Sequence, residues 1–100
     1  MIQAIENLTC VEGIVRACRP HPTLPDYDVI TLGVERAEDV AGKANLLAQA
    51  AGRDVDVAVR RALLAPSGLG ARLRCRVKRT PEGAMCEPHP APGDFTVSGR

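Results

Sequence analysis

The sequence predicts a mainly β fold: a small five-stranded antiparallel barrel with one short helix. Two observations carry this. Stretches rich in Val, Ile and Leu alternate with polar residues at period two, and Gly- and Pro-rich turns separate them. The chain has 100 residues, enough for one core and no more. Short strands with one buried face close most economically on themselves, because closure removes unpaired edges. The alternative architecture is an open antiparallel sheet packed by one helix, an α+β arrangement. Apolar residues make up 45% and charged residues 25%, a balance that supports a packed core rather than wholesale disorder.

The first strand is read over 10–18, where Val11, Gly13, Val15 and Ala17 share a face. Gly13 in mid-strand predicts a bulge or sharp bend of the kind that closes small barrels. A loop follows, in which Pro20, Pro22 and Pro25 forbid a central strand. The second strand, 27–36, turns Ile30, Leu32 and Val34 inward. Residues 43–51 combine high helix propensity with Gly52 at a C-terminal cap position, which predicts the short helix there. The third strand, 53–60, buries Val55, Val57 and Val59. Residues 62–70 read as a loop with an apolar anchor. The fourth strand, 71–79, buries Leu73, Cys75 and Val77 and turns Arg72, Arg74, Arg76 and Lys78 outward. Pro81 and Gly83 frame a turn, and 84–87 is the return strand. The domain thus covers 1–88, and 89–100 reads as a flexible Pro/Gly-rich tail, with Phe95 and Val97 able to dock.

This spacing resembles a small OB-like barrel, with the helix between the second and third strands rather than between the third and fourth. The resemblance implies a face suited to single-stranded nucleic acid. It does not by itself imply a function.

The net charge is +1, unevenly spread: residues 53–79 carry eight basic groups and two acidic ones. On the fourth strand Arg72, Arg74, Arg76 and Lys78 form a ladder spaced by roughly 6.5–7 Å. Arg60, Arg61 and Arg79 flank it. Such a face suits an anionic partner, either single-stranded nucleic acid or an acidic protein surface. Aromatic platforms for bases are scarce, with one Tyr, one Phe and no Trp. Asp54, Asp56 and Glu87 are the expected cross-strand partners if the ladder is simply solvated.

A second motif, C-x-P-H-P, occurs twice, at 18–22 and 86–90, and holds both histidines. Cys18, His21, Cys86 and His89 supply thiolate and imidazole donors of the kind a structural zinc site uses, and this makes a zinc-stapled domain the alternative reading. Cys75 reads as a core residue, and Cys10 and Cys18 as exposed. A third reading is an accessory subunit of a larger complex.

No nucleophile–base pair, phosphate-cradling glycine loop or zinc-protease motif is present, so the expectation is a non-catalytic module without a required cofactor. No apolar run approaches 18 residues and the N-terminus lacks a basic, apolar leader. The expectation is therefore a cytoplasmic protein with reduced thiols and no membrane partner. The Arg-, Ala- and Gly-rich composition fits a bacterial chain.

Overall fold

The computed structural model describes residues 6–64 and 68–98. Six strands form: β1 (Thr9–Pro20), β2 (Tyr27–Asp39), β3 (Asp54–Arg60), β4 (Arg72–Thr80), β5 (Gly83–Cys86) and β6 (Phe95–Ser98). One four-residue helix, α1 (Arg61–Leu64), lies between β3 and β4. Five strands close into a barrel in the order β1-β2-β3-β5-β4, with β4 returning to β1. Closure of this kind excludes the open-sheet alternative and matches the OB-like expectation.

Three features depart from that expectation. The barrel is mixed, because β5 runs parallel to β3 at Val57 and Ala58. The helix stands after β3, at 61–64, in a segment read from the sequence as loop. It also stands where OB-like barrels usually place it. Residues 43–51 form consecutive turns instead. Asn45 decides this locally: its Oδ1 accepts from the Thr9 hydroxyl at 2.7 Å and the Leu47 amide at 3.1 Å. Leu47 and Ala50 are buried against the barrel in that turned form. A nine-residue helix is marginal in isolation, so packing overrides propensity. Gly52, read as a helix cap, does adopt the left-handed conformation (φ 84°), but it closes a turn.

β1 bends as Gly13 predicts. Its register with β2 shifts between Glu12 and Gly13, and again between Val15 and Ala17. One half of the strand thereby pairs with both β2 and β4, while the other half pairs with β2 alone. Gly13 makes this possible: a Cβ there would overlap the Gly33 carbonyl and lie 2.8 Å from its carbon.

The core is the inward register of the strands. Ile30, Leu32, Val59, Leu73, Cys75 and Val77 are fully enclosed. Leu64 of α1 joins them at one end. β6 occupies part of what was read as tail: residues 95–98 pair with Arg72–Cys75 of β4, and Phe95 and Val97 pack on the core. β5 pairs with Val77–Thr80, so β5 and β6 share one edge of β4 between them. Residues 65–67 of the anchored loop, and Arg100, lie outside the described residues. Among the described residues, no helix is long and apolar enough to cross a membrane.

Candidate functional site

Strand alternation places Arg72, Arg74, Arg76 and Lys78 on the outer face of β4, as the sequence predicts. Their partners differ from those expected. Asp54 and Asp56 belong to a different set of ion pairs, on the face formed by β1, β2 and β3. There Arg16 reaches over Gly33 to Asp54 at 3.1 Å, and Arg19 reaches Asp56 at 2.9 Å. The Thr31 hydroxyl also donates to Asp56, and these hydrogen bonds hold its carboxyl below the usual range. That face neutralises itself.

The ladder on β4 is split by its own contacts. Arg72 donates to Glu35 at 2.6 Å and lies 3.7 Å from Glu12, and the hydrogen bond lowers the Glu35 pKa. Arg74 donates to the Gly93 carbonyl, and Arg76 stands 3.5 Å from Asp94. Lys78 and Arg79 have no carboxylate within ion-pair distance among the described residues. Of the flanking cations, Arg61 pairs with Asp28 at 3.1 Å, and Arg60 donates to the Pro88 carbonyl at 2.6 Å.

Lys78 and Arg79 sit on a groove of about 670 Å3 over the outer face of β4. One wall is the segment before β1. Asn7 fixes it by accepting from the Arg79 amide at 2.6 Å and donating to the Arg79 carbonyl. Lys43, ion-paired to Glu6, closes that side. The other wall is Glu87–His89, where Oε1 of Glu87 is buried without a hydrogen-bond partner among the described residues. The groove thus gathers Lys43, Arg76, Lys78 and Arg79 against Glu6 and Glu87. Sequence reasoning missed Lys43 and treated Arg79 only as flanking, because the loop before β3 and the segment before β1 carry no pattern that places them beside β4.

The four C-x-P-H-P donors do not stand in one shell. Cys86 is buried in the core, while Cys18 is exposed with its thiol 3.7 Å from Asp28. Partial burial and then the Asp28 charge push the Cys18 pKa up, which keeps it a poorly reactive thiol. The neighbouring Cys86 thiol and burial push the Cys75 thiol well above the usual range. Cys10, read as exposed, is buried, and burial raises its pKa. His21 spends Nδ1 accepting from the Thr23 and Leu24 amides at 3.1 and 3.0 Å. His89 Nδ1 stands 3.1 Å from Arg60. Among the described residues no group of three or more His, Cys, Asp or Glu is placed to hold a metal ion.

Comparison with protein-family models, curated proteins and solved structures finds no match to this chain.

Proposed function

We propose that this barrel is a non-catalytic binding module that takes a single-stranded nucleic acid along the groove on β4. The observation that carries the proposal is the pair Lys78 and Arg79, two exposed cations on the rim of one groove with no carboxylate within ion-pair distance among the described residues. Arg76 stands beside them, 3.5 Å from Asp94, a contact that a phosphate can replace. Arg76 and Lys78, two residues apart on β4, repeat at roughly 6.5–7 Å, near the spacing of an extended phosphate backbone, and Arg79 adds a further charge at the end of the strand. Arg72, central to the sequence-based ladder, contributes less because Glu35 and Glu12 offset its charge, and Arg74, which donates to the Gly93 carbonyl at 3.4 Å, does not line the groove.

Binding to a fluorescein-labelled oligo(dT), followed by anisotropy, tests this. About three phosphate contacts give a slope of log K against log salt near −2, so affinity falls about twenty-fold from ~50 to ~200 mM salt. Binding that ignores salt, or no binding at low salt, overturns the proposal. Binding of an acidic peptide with the same salt slope, in the absence of oligonucleotide binding, would assign the groove to an acidic protein surface.

A further inference from the structure

We infer that His21, Tyr27, Arg60 and His89 form a subsite on which one nucleobase of the bound strand stacks. This rests on the groove reading above and adds the stacking contact that the sequence lacked. Two aromatic side chains are present. Phe95 packs against the core, but Tyr27 takes the outward register at the start of β2. Tyr27 and Arg60 are directly paired across β2 and β3, which puts their side chains on the same face about 5 Å apart at Cβ.

Each histidine of the repeated motif flanks one member of this pair. The His21 ring meets the Tyr27 ring edge-on, with centroids 6.5 Å apart and planes at 72°. His89 meets the Arg60 guanidinium at 3.1 Å. The two histidines of the motif repeat thus stand at the two ends of the Tyr27–Arg60 pair.

The cluster is built rather than incidental. The His21 amide donates to the Tyr27 carbonyl at 3.0 Å, and the Tyr27 amide donates to the Leu24 carbonyl at 3.2 Å. With the two amides held on Nδ1 and three prolines in or beside the loop, His21 and Tyr27 are ordered before a ligand arrives. Preorganisation of this kind removes an entropic cost of binding.

His89 connects the two regions. It lines the groove and also touches Arg60. A strand lying over Lys78 and Arg76 can therefore pass His89 and Arg60 and present a base to Tyr27. Cations along the backbone with an aromatic ring beside them are what sequence-tolerant single-strand binding requires.

Tyr27 is the only tyrosine and the chain has no tryptophan, so its emission reports this site alone. The test adds unlabelled oligo(dT) of about ten nucleotides to the intact protein, with correction for nucleotide absorbance. Anisotropy of labelled oligo(dT) gives total binding in parallel. The expected result is quenching of Tyr27 emission that saturates with binding. Tyr27→Ala is expected to weaken binding about tenfold with an unchanged salt slope, and Tyr27→Phe to bind as wild type. Binding with unchanged Tyr27 emission, or a Tyr27→Ala variant as tight as wild type, overturns the subsite and leaves the groove reading standing. No anisotropy change at low salt overturns both.

Discussion

Gly13→Ala is expected to destabilise the barrel by about 3 kcal/mol, near the upper end of overpacking costs. A Cβ at Gly13 meets the backbone of the facing strand, lying 2.8 Å from the Gly33 carbonyl carbon and 3.0 Å from Val34 Cα. Backbone cannot rotate away as a side chain can. The new methyl must push β1 and β2 apart at the bulge that lets β1 serve both β2 and β4. Gly33→Ala provides the contrast. The atoms nearest a Cβ there all belong to the Arg16 guanidinium, the exposed end of a flexible side chain. Its cost is expected to stay under about 1 kcal/mol, because an exposed ion pair contributes little and Ala suits a strand better than Gly. Urea unfolding distinguishes the two, with a midpoint lowered by about 2 M for Gly13→Ala and by less than about 0.7 M for Gly33→Ala. Equal shifts would mean that the close approach of the strands does not shape the barrel.

The double variant Lys78→Glu/Arg79→Glu is expected to weaken oligonucleotide binding by well over about tenfold at low salt and to flatten the salt slope by about 1.4 units, roughly 0.7 per lost phosphate contact. Both side chains are exposed and carry no ion pair among the described residues, so their reversal should leave the unfolding midpoint nearly unchanged. Arg72→Ala is the control. Its guanidinium is committed to Glu35 and Glu12, and the variant is expected to bind within about twofold of wild type. A larger loss for Arg72→Ala than for the double variant would move the site to the other half of β4.

Much of the barrel was legible because it depends on period-two burial. The inward registers Ile30-Leu32-Val34 and Leu73-Cys75-Val77 are enclosed as the alternation requires, and the Gly13 bulge falls where the mid-strand glycine indicates. The helix was not legible. Residues 43–51 have the propensity, but Asn45 and the burial of Leu47 and Ala50 are tertiary facts. The parallel β3–β5 pairing was hidden because β5 is only four residues long. The outward face of β4 was readable, but the state of its charges was not. Glu35, Glu12 and Asp94 reach Arg72 and Arg76 from other strands or loops. Lys43 gains its place from Glu6, and Arg79 from Asn7, 72 residues away in sequence. Pattern gives a side chain's face, while long-range contacts decide whether its charge is available.

Amide chemical-shift mapping with oligo(dT) at low salt tests the central claim most directly, because it locates the ligand on the barrel. The prediction is that shifts concentrate at Asn7, Arg76, Lys78, Arg79 and His89, and that Thr31, Asp54 and Asp56, on the self-neutralised face, stay unmoved. Shifts centred on Thr31 and Asp54 with β4 silent would contradict the account and place the ligand over the Arg16–Asp54 and Arg19–Asp56 ion pairs.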